Sequence, residues 1–410
     1  MFIEISKNLK KLSKYFPESL YVVGGYVRNQ LLKIKTSDVD LASSVNVEEV
    51  VSRLENSEFE TKIKNLKTGS LLILCENERY EYTAFRKEVY PQGGSHNPTS
   101  IMQTNNIEDD AKRRDFSMNS IYYNINKDEI FDIFHGIIDT KQKIIRCNIE
   151  PEKVLSSDGE RILRMVRFAG ELNFGIEKQT FKCAKRYVMN VKDLSGSRKY
   201  AEILKILYAD KSYNLNKSAE RNALKLLNNL GVWKAFGLSS NKIKIKMSLK
   251  AEDRFLGLLI DIVDTQKPKC LETFLERFLK NELAFSNEDY QRVFVVLAGY
   301  YDALFKKQNK AFFFKYFDLW GEISELLEKK SKRTESKYQF FYYYILKHDL
   351  AIRVDDLKIR VKDIRENFPK IDKRDYSKIL GGLLDKVFDG KIKNEKENLI
   401  KEIQKKYQKK

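Results

Sequence analysis

The sequence predicts an α+β protein, an α/β region followed by an all-helical remainder, and three observations carry that expectation. Four of the six prolines lie at or before Pro151, so only Pro268 and Pro369 can interrupt helices later in the chain. Short β-rich runs crowd the first part: Leu20 to Val23, Val39 to Ala42, Leu71 to Cys75 and Tyr80 to Phe85. Beyond residue 150, Asp158 to Leu172 and Tyr200 to Tyr208 repeat apolar residues at helical spacing.

Taken in order, the strand at Leu20 runs into Gly24-Gly25, and the strand at Val39 follows Asp38. Glu76-Asn77-Glu78-Arg79 predicts a hairpin turn between the next two strands. Residues Lys87 to Asn105, with Gly93-Gly94-Ser95 and two prolines, read as a mobile loop. Glu328 to Lys337 reads as a solvated helix face, with a linker as the alternative, and the end from Lys405 to Lys410 as a frayed tail or a phosphate-contacting arm. No fixed-period repeat is visible, which argues against a solenoid.

A chain of 410 residues is too long for one compact core, so two to four domains are expected. Its 42% apolar and 12% aromatic content excludes wholesale disorder. The 76 Lys and Arg against 58 Asp and Glu leave a net charge of +18, a field that draws polyanions, with nucleic acid first among them. No apolar run reaches the length of a membrane helix and no cleavable leader is visible, so a soluble, unexported protein is expected. Cys75, Cys147, Cys183 and Cys270 are too scattered for metal-ligand pairs and too few for a disulfide framework, which fits a cytoplasmic setting.

The chemistry begins at Gly24-Gly25, where the lack of a Cβ lets backbone N–H groups close on a phosphate. Asp38 and Asp40 would share one face of a strand, and a converging carboxylate pair suits Mg²⁺. A polar strand end is the alternative for a bare Asp-X-Asp. Glu81 is a possible third carboxylate. Arg113 and Arg114, flanked by acids that can hold them, offer forks for phosphate oxygens. His96, His135 and His348 read as structural, since His348-Asp349 resembles the dipeptide of metal phosphohydrolases but lacks further ligands at suitable spacing.

Asp158 and Arg161 would be neighbours on a helix, an acceptor beside a donor fork. Cytosine and adenine each present an amino donor next to a ring acceptor and complement such an edge. Guanine and uracil present the reverse order and do not. From the segment alone, an ordinary intrahelical ion pair is the preferred reading. Arg164 and Arg167 continue the spacing and could serve phosphates or nearby carboxylates.

Together these residues resemble the class II tRNA nucleotidyltransferases, the bacterial and eukaryotic CCA-adding enzymes, whose relatives include bacterial poly(A) polymerases. Gly24 to Asn29 resembles the family's Gly-Gly-X-Val-Arg-Asp loop, in which Arg28 grips the triphosphate, and Asp38-Val39-Asp40 its metal-binding pair. Lys112 to Asn119 resembles an Arg-Arg-Asp-Phe-Thr-X-Asn stretch implicated in ribose and nucleotide binding, bringing in Arg113, Arg114, Asp115 and Asn119. Asp158 and Arg161 match the Asp and Arg of a Glu-Asp-X-X-Arg template, and Ser195 to Leu207 resembles a neck-helix motif. The resemblance covers roughly residues 18 to 210.

It implies a polymerase β-like nucleotidyltransferase head at 1–147, a helical neck with the base template at 148–210, a helical body at 211–330 and a basic, tRNA-binding helical tail at 331–410. It further implies two-metal transfer with Mg²⁺ and addition of CCA to tRNA from CTP and ATP, with no obligate protein partner. Three positions depart from the pattern: Asn29 for Asp, Ser157 for Glu and Ser197 for Glu, each removing a negative charge. These departures keep alternatives open: a CC-adding or A-adding partial enzyme, a poly(A) polymerase, or a noncatalytic RNA-binding paralogue.

Overall fold

The computed structural model describes residues 3–91, 93–95, 97–240, 242–245, 253–305, 312, 315–331, 342 and 351–407. The chain divides into two compact units, Met1–Tyr290 and Gln291–Lys410, a division that falls inside the segment expected as the body.

The first unit opens with α1 (Lys7–Ser13), β1 (Tyr21–Val23), α2 (Gly25–Leu31), β2 (Val39–Ser43) and α3 (Val47–Leu54). Next come β3 (Glu60–Asn65), β4 (Ser70–Cys75), β5 (Glu78–Ala84), β6 (Arg86–Val89) and β7 (Ser100–Gln103). The α/β region closes with α4 (Ile107–Lys112), β8 (Tyr122–Asn124), β9 (Glu129–Phe131) and α5 (Gly136–Gln142). Seven strands form one sheet in the order β3-β4-β5-β2-β1-β8-β9. β2 and β5 run parallel while the other neighbours are antiparallel. At the β3 edge the register shifts between Ile63 and Asn65.

Side-chain alternation along the strands sets two faces. Val22, Leu41, Tyr82 and Tyr123 turn into the main core with α1 and α3 residues, and each fully buried side chain of this size contributes roughly 2 kcal/mol. Val23, Ala42 and Tyr122 pack on the other side with Phe85 and Ala111 of α4. Asp40 shares the register row of Val23 and so emerges on the α4 side.

The strand expectations hold with trimmed ends. The hairpin turn is tighter than expected: β5 already starts at Glu78, and Glu76 adopts φ 54° to close it. The segment expected as a loop from Lys87 to Asn105 is partly ordered as an antiparallel ribbon, Arg86 pairing with Gln103 and Val89 with Ser100. Backbone pairing there outweighs the loop-like composition of its tip.

Helices follow: α6 (Pro151–Leu155), α7 (Glu160–Leu172), α8 (Lys178–Arg186), α9 (Gly196–Leu207), α10 (Ala209–Ser212) and α11 (Ala219–Leu230). α7 packs against α9, α10 and α11. Gly170 allows this approach, because a Cβ there would lie 3.0 Å from the Ala219 carbonyl oxygen. Ser195 caps α9 by accepting the Arg198 N–H, and such a cap contributes about 1 kcal/mol. The second unit contains helices Trp320–Leu326, Val361–Asn367, Tyr376–Phe388 and Lys396–Tyr407, with Leu357, Ile364, Leu380, Leu383 and Leu399 in its core.

Glu328 is exposed as a solvated face requires, but residues 332–337 of that segment lie outside the described residues. The same holds for 408–410 of the Lys-rich end and for His96 and His348. Among the described residues no helix is long and apolar enough to cross a membrane. All four cysteines are free.

Candidate active site

A cavity of about 1160 Å³ in the first unit is lined by Gly24, Gly25, Arg28, Asp38, Asp40, Arg113, Arg114, Asp115, Asn119, Asp158, Arg161, Arg164 and Arg167. These residues from the glycine turn, the Asp-X-Asp segment, the arginine pair and the Asp158–Arg161 segment therefore meet around the same space.

Asp40 stands on β2, whereas Asp38 lies just before the strand rather than on it. Gly24 turns with φ 74°, and a Cβ there would sit 3.4 Å from the Asn119 carbonyl, 3.8 Å from Arg114 Nη1 and 3.9 Å from Asp40 Oδ2. A side chain would thus crowd the carboxylate and strain the turn. The Gly24 N–H itself is committed to the Ile121 carbonyl at 3.2 Å, so it is not a free phosphate donor. Asp40 opens to solvent on the cleft side, but protein crowds it elsewhere and lifts its carboxyl above the usual aspartate range. Arg114 opposes the rise, while Glu81 and Asp38 add to it.

Glu81 is the neighbour of Asp40 in the sheet register, yet it does not join the cavity. Its carboxylate pairs with Lys64 at 2.8 Å and Arg79 at 3.1 Å. The expectation of a third carboxylate is corrected accordingly: two exposed cations on its own face of the sheet hold it.

Asp110 of α4 is completely buried and accepts from both arginines of the pair, Arg113 at 2.7 Å and Arg114 at 3.1 Å, and from the Tyr122 hydroxyl at 2.6 Å. Burial pushes its carboxyl up, but Arg113 and Arg114 override this and hold the pKa down at about 2. Asp115 similarly collects Arg164 at 2.8 Å, Asn119 Nδ2 at 3.1 Å and the Phe116 N–H.

Asp158 precedes α7 instead of lying within it, in an antiparallel bridge with Ser95. It accepts the Glu160 N–H at 2.9 Å and faces Arg161 Nε at 3.4 Å. Arg161 donates to the carbonyls of Val154 (3.3 Å) and Arg113 (2.7 Å) and lies over the Tyr90 ring. Acceptor and donor are adjacent and both are buried, with Nε, Nη1 and Nη2 of Arg161 each facing an oxygen of the protein. Arg167 is held by Glu202 at 2.8 Å and Glu171 at 3.1 Å, so it serves neighbouring carboxylates.

Several cavity residues escaped the sequence reading. Phe168 lies under three guanidiniums, those of Arg28, Arg164 and Arg167, at 5.4, 5.2 and 4.3 Å. Its position four residues after Arg164 was an available signal. Tyr90, Glu88 and Tyr213 also line the cavity, brought there by chain segments far apart in sequence.

Residues 20–146 match the Poly A polymerase head domain. The CCA-adding enzyme of Streptococcus thermophilus (strain CNRZ 1066) is 35% identical over 190 residues, 46% of this chain and 46% of the relative. That of Staphylococcus saprophyticus subsp. saprophyticus is 27% identical over 306 residues, 67% of this chain and 74% of the relative. The chain spans about half the length of the streptococcal relatives it matches. The crystal structure of Bacillus stearothermophilus CCA-adding enzyme in complex with CTP superimposes with a TM-score of 0.71 at 20% identity, covering 98% of this chain and 97% of that one. The fold is that of a nucleotidyltransferase head domain with a mixed sheet, followed by a largely helical remainder. The head domain contributes Asp38 and Asp40, the turn between α6 and α7 contributes Asp158, and α7 contributes Arg161, Arg164 and Arg167.

Proposed function

We propose that this protein is a template-independent RNA nucleotidyltransferase that adds C, C and A to the 3′ end of tRNA from CTP and ATP. One observation carries the reading: Asp38 and Asp40 share a single cavity with the Asp158–Arg161 pair. Relatives named CCA-adding enzymes and the solved complex with CTP support it.

Among the described residues no three His, Cys, Asp or Glu side chains form a closed cation cage. Two carboxylates on an open wall instead fit a hard divalent cation that shares its remaining positions with water and substrate phosphates. Asp38 and Asp40 would hold such cations, Mg²⁺ by the chemistry of the donors. When bound, they supply charge neutralisation and activation of the attacking hydroxyl.

Arg28, Arg113 and Arg114 draw the triphosphate into the cleft, and Asp110 fixes the last two so that they need not reorganise on binding. Asp115 and Asn119 face the ribose side, and Arg164 is held against Asp115. Asp158 accepts the amino group of cytosine or adenine while Arg161 donates to the adjacent ring nitrogen. The Asp158–Arg161 contact at 3.4 Å is long for a hydrogen bond, so exchanging it for a base edge costs little. The RNA 3′-hydroxyl oxygen then gives up its proton to solvent and bonds to the α-phosphorus as the bond from that phosphorus to the bridging β-phosphate oxygen breaks and pyrophosphate leaves. Residues 1–147 would act as head, 148–210 as neck, 211–330 as body and 331–410 as the tail that holds tRNA through its phosphates.

The test uses tRNA ending at the discriminator base with CTP, ATP or both. Extension by three nucleotides supports the reading, and one or two indicates a partial enzyme. Long ladders in ATP alone indicate a poly(A) polymerase. Asp40→Ala is expected to abolish extension while filter retention of tRNA persists.

A further inference from the structure

Within the cavity, Arg28 differs from every other arginine. Arg86 and Arg113 meet Glu88, Arg114 meets Asp110, Arg161 meets Asp158, Arg164 meets Asp115, and Arg167 meets Glu171 and Glu202. Arg28 is 2% exposed, and among the described residues its hydrogen-bond partners are all uncharged: Asn29, Asn119 and Tyr213. Glu171 and Asp115 stand near enough to support its charge, but they are paired with Arg167 and Arg164, and a buried cation with no carboxylate of its own suits an anion that arrives from outside.

Asn29 decides how much of that charge remains. A guanidinium only donates, so the amide must turn its oxygen toward Arg28. Asn29 Oδ1 indeed accepts from Nε at 3.1 Å and Nη2 at 2.8 Å. This orientation commits Nδ2 to the opposite side. That nitrogen has no hydrogen-bond partner among the described residues, although Asn29 is itself 2% exposed and lines the cavity. A carboxylate in the same place would accept the same two bonds, but it would neutralise Arg28 and present an oxygen where Nδ2 now offers hydrogens.

We propose that Asn29 is a polyphosphate-binding residue, its Nδ2 donating to a phosphate oxygen while its neutrality leaves Arg28 without a directly bonded carboxylate and open to the same anion. The inference rests on the reading of this cavity as a nucleoside triphosphate site and identifies which neutral side chain sharpens it. Asn119 Oδ1 and the Tyr213 hydroxyl orient Arg28 without cancelling its charge.

The test is equilibrium binding of CTP and of inorganic tripolyphosphate to the full chain in EDTA, by calorimetry, for wild type, N29D and N29S. Removing divalent cations prevents them from bridging the new carboxylate to phosphate. N29D is expected to weaken both ligands about tenfold or more, and N29S, neutral but lacking the amide donor, about threefold. Equal affinities for wild type and N29D would overturn the proposal, as would a wild type that does not bind tripolyphosphate in EDTA. So would N29S binding more weakly than N29D, since charge would then not be the determinant. Should N29D lose its cooperative thermal transition, the N29S loss alone decides, and its absence overturns the inference. A wild type that binds tripolyphosphate but fails to extend tRNA would instead refute the nucleotidyltransferase reading while leaving this one standing.

Discussion

The carbonyl oxygen of Gly94 accepts the backbone N–H of Gly159 at 3.0 Å. This bond fastens the tip of the β6–β7 connection to the turn that carries Asp158, and the Gly94 N–H donates in turn to Asp193 at 3.2 Å. A Cβ on Gly94 would lie 2.0 Å from the Asn190 carbonyl, so Gly94→Ala must lift the tip. The variant should lose about tenfold in nucleotide incorporation through displacement of Asp158, with the melting temperature changing little. Single-turnover extension assays beside thermal melts check both parts.

Asp110 is the anchor of the arginine pair. Asp110→Asn leaves two guanidiniums and the Tyr122 hydroxyl around a neutral amide and should cost about 3 kcal/mol of stability. The folded pKa of about 2 lies below the unfolded value of about 3.9, so the stabilisation is present above pH 4 and lost as the pH falls toward 2. It amounts to roughly 2 kcal/mol. Urea titrations of wild type and variant between pH 2 and 6 should converge at the acid end.

Asp158→Asn turns an acceptor into a group that can also donate. Its Oδ1 can keep the Glu160 N–H while Nδ2 faces the carbonyl of uracil or guanine. Incorporation of UTP or GTP relative to CTP should rise by at least about tenfold. Competition assays with mixed nucleotides measure it, and an unchanged ratio would remove Asp158 from base selection.

Phe168 packs beneath Arg28, Arg164 and Arg167. Phe168→Ala frees three guanidiniums at once and should raise the KM for CTP about tenfold, more than it lowers kcat. Phe168→Tyr should restore most of the loss, because the ring face is retained. A Phe168→Tyr variant as impaired as Phe168→Ala would mean that the ring face is not what orders the guanidiniums.

Much of the site was legible because its chemistry sits in short segments. Gly24-Gly25, Asp38-Val39-Asp40, Arg113-Arg114-Asp115 and Asp158 with Arg161 each place complementary groups within a few residues, and local geometry carries that directly into space. The departures have physical causes. Asp158 left the helix because the bridge to Ser95 holds it extended, and Glu81 was captured by Lys64 and Arg79. Tyr213, 185 residues from Arg28 in sequence, reaches it because α10 packs on α7, which no local pattern announces. Asp110 was visible as an acid near two arginines, but its bond to Tyr122 depends on β8 pairing with β1.

The outer margin of the seven-stranded sheet has a bearing on handling the protein. Along β3, Glu60, Lys62 and Lys64 place a charge at every second position, and the ladder loses its step between Ile63 and Asn65. A foreign strand approaching this side would find mismatched hydrogen-bond spacing and side chains that prefer water. Concentrated solutions should therefore resist zipper-like self-association through this rim, even though an open sheet ordinarily invites it.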